Sequence, residues 1–263
     1  MISPKAIAVC VQGSGHRRRG IECQDAAMVC IADGFVVIAI ADGAGSAPRS
    51  EIGSRIAVQL AAGYLLENQA AFASDAGELK VRMQEAAMLA KAGVDTEAQR
   101  LGVEPRDLAS TLILCIAGNT RVSVLQVGDG AVVARTAGGE LICIGQPTKG
   151  EHFNETEFLT EQGVDRVGKF SEITAHVSDV AAFTDGFETI ALNLANFEPH
   201  PGFFNPLFNF FKGSGDEEVL RSELTKFMES PRVAEQVDDD LTLALACWDC
   251  SDSAPPAAPS SEA

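Results

Sequence analysis

The chain has 263 residues, of which 46% are hydrophobic and 22% are charged, and its formal net charge is -17. No apolar run approaches the roughly 18 to 20 residues that a membrane-spanning helix needs, so we expect a soluble globular protein. Nucleic acids and anionic lipid surfaces are bound chiefly by cationic side chains that neutralise phosphates. So acidic a chain is not expected to bind either of them.

The length suits one domain with a sizeable core, which we predict over residues 1–250. Residues 251–263 are rich in Pro, Ser and Ala and are predicted to be a disordered tail. The first residues lack the features of a signal peptide, which favours a cytoplasmic location. The seven cysteines are scattered through apolar segments, as is typical of buried thiols in a reducing compartment. We expect a monomer.

The first predicted strand pair lies between residues 26 and 41. Two apolar runs, Ala26–Ala32 and Phe35–Ala41, are joined by Asp33-Gly34. This dipeptide suits a two-residue hairpin, because both of its positions must tolerate positive φ. The pattern therefore predicts a buried antiparallel pair.

Two helices are predicted next. The first has an apolar side chain at every fourth residue, at Ile52, Ile56, Leu60 and Tyr64. It is predicted to span about residues 48–68 and to bury this stripe. The second repeats the spacing, at Leu79, Met83, Ala87 and Ala90. Asp75 and Glu78 resemble a capping pair at its start, and the two helices should pack as neighbours.

Short strand-like runs fill most of the remaining chain. Four of them are predicted to form an antiparallel meander, at residues 112–117, 121–127, 131–136 and 140–144. Further strands are predicted at residues 155–160, 173–177, 180–184 and 241–248, and a helix at residues 217–229. Strands gathered in sheets with helices in pairs indicate an α+β layered sandwich.

Three of the predicted core strands lead into an aspartate followed by a glycine, at Asp42-Gly43, Asp129-Gly130 and Asp185-Gly186. Taken singly, Asp-Gly is foremost a turn signal, as Asp33-Gly34 illustrates. Two more acids stand at strand starts, because Asp25 precedes one predicted strand and Asp239 lies just before another. Five acids at strand ends can converge on one edge of the sheets.

Convergence of these carboxylates would require bound cations. Two carboxylates about 4 Å apart repel by roughly 4 kcal/mol at an effective dielectric near 20. Oxygen ligands favour hard dications such as Mg²⁺ or Mn²⁺ over Zn²⁺, and two such ions about 4 Å apart can share a water that becomes hydroxide near neutral pH. The glycine after Asp42 has no Cβ, which lets its carbonyl oxygen approach such an ion.

Four segments appear in a characteristic order, namely Cys23-Gln24-Asp25, Ala41-Asp42-Gly43-Ala44-Gly45, Thr184-Asp185-Gly186 and Asp239-Asp240-Leu241-Thr242. They resemble the successive motifs of the metal-dependent type 2C (PPM) protein phosphatases, over about residues 12–248, and residues 149–156 are similar to a compact bacterial subgroup. The resemblance implies a four-layer αββα sandwich, in which two antiparallel sheets are flanked by helix pairs. It also implies hydrolysis of phosphoserine and phosphothreonine without a covalent intermediate, on proteins phosphorylated by a cognate Ser/Thr kinase.

The resemblance assigns site roles by position, with two Mn²⁺ or Mg²⁺ ions as cofactors. It implies that Asp42 bridges both ions and that the Gly43 carbonyl contacts one of them. Asp185 and Asp239 would hold the other ion, and Asp25 would bind a metal-bound water nearby.

Two further positions follow from the same comparison of motifs. Asp129, together with Asp185, matches the site of a third, weaker ion in bacterial members. Within residues 238–240 the predicted ligand is Asp239, because it lies three residues before Thr242. The aspartates on either side of it are expected to be solvated or to cap the strand start.

The chain departs from the family pattern where substrate phosphate is bound. The better-known pattern has an arginine five residues before the aspartate of the first motif, and this chain has Gly20 there. Arg19 is the nearest substitute and His16 is close, and either can bind phosphate, although a solvated basic loop is the alternative. Some relatives carry a histidine where this chain has Ala44, so His16 or a water is expected to protonate the leaving oxygen.

Two rival functions stay open. A phosphoprotein-binding scaffold would keep the fold without turnover, although such a protein is expected to lose an acid ligand. A phosphatase of a small phosphoester is not distinguished by the sequence. Residues 197–211 are rich in phenylalanine and are predicted to form a helix that covers the core, or else a docking surface or substrate flap. Residues 149–158 are a second candidate flap.

Overall fold

The computed structural model describes residues 3–146, 157–161, 168–213 and 215–248. The predicted C-terminal tail, most of the candidate flap at residues 149–158 and the start of the strand predicted at residues 155–160 lie outside the described residues. The described part of that strand is a turn, so the strand prediction is wrong there. Leu159 in this turn is nevertheless buried, and its N–H donates a hydrogen bond to the Ser110 carbonyl, which holds the turn against the rest of the fold.

Two five-stranded antiparallel sheets form the centre of the molecule. One contains, in spatial order, β1 (Pro4–Val11), β12 (Leu241–Trp248), β9 (Val177–Phe183), β6 (Ala131–Thr136) and β7 (Leu141–Gly145). The other contains β2 (Ala26–Ala32), β3 (Phe35–Ala41), β4 (Leu112–Ala117), β5 (Arg121–Val127) and β8 (Lys169–Thr174). A separate short pair joins β10 (Leu192–Asn193) to β11 (Glu198–Pro199).

Helices cover the outer faces of both sheets. The α-helices of the described residues are α1 (Ser14–Arg19), α2 (Ser50–Glu67), α3 (Ala76–Leu101), α4 (Glu188–Ala191), α5 (Pro201–Gly213), α6 (Glu217–Met228) and α7 (Pro231–Ala234). Shorter 3₁₀ turns occupy Gln69–Ala73, Pro105–Leu108 and Asp185–Phe187. None of the helices in the described part of the chain combines the length and the apolarity that crossing a bilayer requires.

The core consists of three apolar layers, as the alternation along β3 shows. Val37 and Ala39 pack in the cluster that α2 and α3 share with their sheet. Val36 and Ile38, on the opposite face of the strand, pack in the cluster between the two sheets. Successive side chains of a strand point to opposite faces, so a run that is apolar throughout must be buried on both. The third layer lies between the other sheet and α5 and α6. The predicted αββα sandwich is confirmed.

The predicted hairpin is confirmed, but the predicted meander is wrong. Asp33 and Gly34 have φ of 50° and 81° between the paired strands β2 and β3. The four strands predicted as a meander form two hairpins in different sheets, β4 with β5 and β6 with β7. The chain changes sheets between β5 and β6, where Gly128 and Gly130 have φ of 91° and 86°. Only glycine adopts this backbone readily, and it redirects the chain across the sandwich.

The predicted helices are present, although the buried face of α2 differs from the prediction. The face of α2 that packs on the sheet carries mainly small side chains, including Ala57 and Ala61, which let the helix lie close to the strands. The predicted stripe is only partly buried, and its members Ile52 and Ile56 pack against a small cluster of Val94, Ala98 and Leu108 instead of against the sheet. The α3 stripe is buried as predicted, and the Asp75 carboxylate accepts hydrogen bonds from the first turn of that helix.

The phenylalanine-rich segment forms the helix that the sequence predicted. Phe204, Phe208 and Phe211 of α5 are fully buried against the β1, β12 and β9 sheet. Phe210, on the opposite side of the helix, is 40% exposed. The segment therefore covers the core.

Candidate metal centre

The fold brings the predicted acids to one end of the sandwich. Asp25 directly precedes β2 and Asp42 directly follows β3, and these strands pair with Ala26 opposite Ala41. The backbone of Asp42 is fixed by the next strand, because its N–H donates to the Thr111 hydroxyl and its carbonyl accepts from the Thr111 N–H. Thr184, at the end of β9, links to both sheets.

Thr184 is the bridge between the two sheets at this end. Its hydroxyl donates a 2.8 Å hydrogen bond to Oδ2 of Asp25 and accepts one from the Thr242 N–H at 3.2 Å. Its own N–H donates to the Thr242 carbonyl. Asp185, the next residue, is thereby held beside the acids of the other sheet.

Three of the predicted acids are clustered. One carboxylate oxygen each from Asp42, Asp129 and Asp185 lies within 4.8 Å of the other two. Burial, followed by the charges of neighbouring aspartates that include Asp25 and Asp239, raises the pKa of Asp42 well above its usual value. Burial and the charges of Asp129 and Asp239 raise the pKa of Asp185 to about 6. The five predicted acids therefore share one electrostatic environment.

Asp25 is the most enclosed of these acids. Burial raises its pKa to about 7, against the lowering effect of the neighbouring Asp42, Thr242 and Thr184 side chains, of which the Thr184 hydroxyl donates to Oδ2. Its Oδ1 atom is buried and has no hydrogen-bond partner among the described residues. A buried carboxylate oxygen without a partner is costly, so it marks a position where a ligand or an ordered water belongs.

The residues at this end fit hard divalent cations. In the described part of the chain no Lys or Arg forms an ion pair with Asp25, Asp42, Asp185 or Asp239. The donors are oxygens, the set that Mg²⁺ and Mn²⁺ prefer. Gly43 is tightly enclosed, since a Cβ there would lie 2.8 Å from the Gln24 carbonyl oxygen and from Ser50 Oγ.

Asp239 and Asp240 occupy different environments. The Asp239 side chain is 55% exposed, and its charge acts on Asp42 and Asp185. Asp240 is 2% exposed, and its two oxygens accept hydrogen bonds from the Gly13 and Gln24 N–H groups at 2.7 and 2.6 Å. The expectation that Asp240 is solvated is therefore wrong, because this carboxylate ties the segment before β2 to the start of β12.

Asp238 is solvated, as the sequence predicted. Its exposed carboxylate accepts hydrogen bonds from the Ser14 hydroxyl at 2.8 Å and from the Arg18 guanidinium at 3.0 Å. These contacts hold α1 beside residues 238–240, and they direct the Asp238 carboxylate to α1 and not to the acid cluster.

His16, and not Arg19, contacts the acids of residues 239 and 240. The His16 ring is buried, with Nδ1 2.9 Å from Oδ2 of Asp240, at an angle too oblique for a full hydrogen bond, and Nε2 3.8 Å from Oδ1 of Asp239. The exposed Arg19 instead donates from its guanidinium to the Gly15 carbonyl of the same helix. Arg17 and Arg18 are held by surface acids, as in the solvated basic loop that the sequence left open.

Some supporting residues were not identified from the sequence. Thr111 positions Asp42, and its only local signal was its place at the edge of an apolar run. Thr184, which contacts Asp25, was part of the third motif, but no role was predicted for it. Glu188 accepts a 2.8 Å hydrogen bond from the Gly130 N–H, and burial raises its pKa to about 7. No spacing in the sequence connects Glu188 with Gly130, because the contact spans 58 residues.

Known proteins are similar to this chain in sequence and in fold. The family model for protein phosphatase 2C matches residues 12–229. Serine/threonine-protein phosphatase 3 of Escherichia coli (strain K12) is 34% identical over 244 residues, which cover 90% of this chain and 95% of the relative.

Solved structures agree in fold at lower identity. A bacterial serine phosphatase superposes with a TM-score of 0.64 at 13% identity, over 92% of this chain and 97% of its own. The catalytic domain of the serine threonine protein phosphatase PstP, solved with two manganese ions, superposes with a TM-score of 0.60 at 15% identity, over 94% of this chain and 99% of its own. The chain belongs to the protein phosphatase 2C family.

Proposed function

We propose that this protein is a metal-dependent phosphatase that hydrolyses phosphoserine and phosphothreonine in proteins. The observation that carries the proposal is the meeting of Asp42, Asp129 and Asp185, from three distant parts of the chain, within 4.8 Å of one another. The name of the Escherichia coli relative, a serine/threonine-protein phosphatase, supports the substrate class. The two manganese ions of the PstP structure support the cofactors.

The proposed ligands are those that the sequence predicted. Asp42, the Gly43 carbonyl, Asp185 and Asp239 would hold two Mn²⁺ or Mg²⁺ ions, with Asp42 shared by both, Gly43 at one, and Asp185 and Asp239 at the other. Asp25, whose Oδ1 lacks a partner, acts through a water. Asp129 and Asp185 would hold a third, weaker ion, which the short distance between their carboxylates supports. When bound, the ions neutralise phosphate charge and lower the pKa of the attacking water.

The residues of the chain position the substrate and the proton donor. The exposure of Asp239, against the burial of Asp240, supports Asp239 as the ligand. His16 Nδ1 lies next to the Asp240 carboxylate, and Nε2 lies on the side of Asp239. His16 therefore contacts the phosphate and gives a proton from Nε2 to the leaving serine or threonine oxygen. Arg19 has less support, because its guanidinium is engaged at the Gly15 carbonyl.

The cellular setting is part of the same proposal. The enzyme acts as a monomer in the cytoplasm, on proteins phosphorylated by a Ser/Thr kinase. The six described cysteines are all free thiols, which supports a reducing compartment.

Hydrolysis of p-nitrophenyl phosphate, of phosphoserine peptides and of phosphorylated metabolites, with and without Mn²⁺, tests the function. The parent should hydrolyse the phosphopeptides only with metal, and Asp42→Asn should lower kcat by about a hundredfold or more. Asp33→Asn is the matched control, because it changes the same dipeptide in a hairpin that also accepts Asn. An inactive parent would favour the scaffold, and turnover of metabolites alone would favour a small-molecule phosphatase.

A further inference from the structure

A polar cleft opens beside Asp25, apart from the cluster of Asp42, Asp129 and Asp185. It has a volume of about 450 Å³ and lies between β2 and the first turns of α2. Its charged and polar lining comes from the segment before β2 and from α2, at Glu22, Asp25, Glu51, Arg55 and Gln59. No role at the metal centre uses Glu22, Glu51 or Arg55.

Three of these side chains are charged and unpaired. Glu22, Glu51 and Arg55 form neither an ion pair nor a side-chain hydrogen bond with any described residue. Some surface charges of opposite sign on the helices are joined, as in the Lys91 and Asp95 pair at 2.9 Å, but none of the three cleft residues is. The two unpaired carboxylates outnumber the one guanidinium, so the cleft lining has a net negative charge, in a chain whose net charge is -17.

The wall of the cleft is continuous with the metal centre. Asp25 is 9% exposed, lines the cleft, and has an Oδ1 atom without a partner among the described residues. Its other oxygen, Oδ2, accepts from Thr184, the residue before Asp185. A group bound in the cleft would therefore lie next to the phosphate that the metal centre holds.

The strand beside the cleft is suited to an extended peptide. β2 is at the end of its sheet and pairs only with β3 among the described strands. The other edge of an end strand carries backbone N–H and C=O groups that can bond to an added strand, while pockets alongside select its side chains.

We propose that this cleft binds a Lys or Arg side chain that flanks the phosphorylated residue in an extended segment of the protein substrate. Glu22 and Glu51 accept the cation, and Arg55 disfavours it. The inference rests on the proposed phosphatase function and gives the enzyme a preference for phosphoproteins with a basic residue beside the phosphorylated one.

The test measures kcat/KM for phosphoserine peptides in which one Lys occupies each neighbouring position in turn, relative to the same peptide with Ala. At one or two positions Lys should raise kcat/KM by about two- to fivefold, the range of an exposed ion pair. This Lys-to-Ala ratio should fall toward one in Glu22→Gln and in Glu51→Gln, and rise in Arg55→Gln. It should also shrink at high salt, because exposed charges are screened. The ratio is taken within each variant, so a general loss of activity cancels.

Glu140→Gln is the control, because Glu140 is an exposed acid in the turn between β6 and β7, in the other sheet. It should leave the ratio unchanged. A parent that hydrolyses all the peptides equally, or a Lys preference that survives both glutamate substitutions, would overturn the inference and leave the phosphatase function intact. A parent that hydrolyses no phosphoester with Mn²⁺ would overturn the proposed function itself.

Discussion

Replacing Asp185 by Asn should stabilise the metal-free protein and remove its activity. Burial and the charges of Asp129 and Asp239 raise the pKa of Asp185 from 3.8 to about 6. One pKa unit corresponds to about 1.4 kcal/mol, so the ionised carboxylate destabilises the metal-free fold by about 3 kcal/mol above neutral pH. Asp185 is partly open to solvent, which screens this repulsion. We therefore expect Asp185→Asn to raise the free energy of unfolding by about 1 to 2 kcal/mol.

The raised pKa values also set the direction of the pH dependence. In the folded state Asp185 and Asp25 bind protons more tightly than in the unfolded chain, with pKa values of about 6 and about 7. Their contribution to stability is full below about pH 4 and is lost as the pH rises through 6 and 7. With a chelator present, the free energy of unfolding should thus fall between about pH 5 and about pH 8. The fall should be smaller in Asp185→Asn.

Urea denaturation followed by the fluorescence of Trp248, the one tryptophan, measures both effects. Saturating Mn²⁺ should stabilise the parent more than the variant, since ions that bind only the folded state add to its stability. Glu140→Gln removes a charge far from the cluster and controls for the net charge. A metal-free Asp185→Asn protein that is less stable than the parent at about pH 8 would refute this reasoning.

Three further predictions concern neighbouring residues. Asp240→Ala should lower the free energy of unfolding by about 3 kcal/mol, because it leaves two buried N–H groups unpaired. Asp239→Ala should change the free energy of unfolding by less than about 0.5 kcal/mol, but it should weaken Mn²⁺ binding measured by calorimetry. Equal effects of the two substitutions would contradict the assignment. Gly43→Ala should lower kcat about tenfold or more, because a Cβ there lacks room, and full activity with unchanged Mn²⁺ affinity would count against a role for its carbonyl. His16→Gln should lower kcat on phosphopeptides more than on p-nitrophenyl phosphate, whose leaving group needs no proton. Equal losses would exclude His16 as the proton donor.

The sequence predicted those features that depend on local patterns. Apolar runs of strand length predicted β3, β4 and β12. Asp33-Gly34 predicted the hairpin, because the positive φ that its two residues must adopt depends only on the residues themselves. The clustering of Asp42 with Asp185 followed from strand ends at which the same dipeptide recurs. These patterns therefore predicted the layered fold and the place of the acids.

The features that the sequence missed depend on contacts between distant residues. The chain passes from one sheet to the other at Gly128 and Gly130. This passage could not be predicted from the segments on either side, because both are equally apolar. From the sequence, Asp240 and Asp238 shared one expectation, and only the approach of the Gly13 and Gln24 N–H groups, 227 and 216 residues away, distinguishes Asp240. The buried face of α2 depended on how closely its small side chains let it approach the sheet.

Anomalous diffraction from a crystal soaked in Mn²⁺ tests the central claim most directly, because it shows where dications bind and which atoms hold them. Two strong peaks should appear at the end of the sandwich, both in contact with Asp42, with the Gly43 carbonyl at one and Asp185 and Asp239 at the other. Peaks elsewhere, or none at saturating Mn²⁺, would contradict the proposed metal centre.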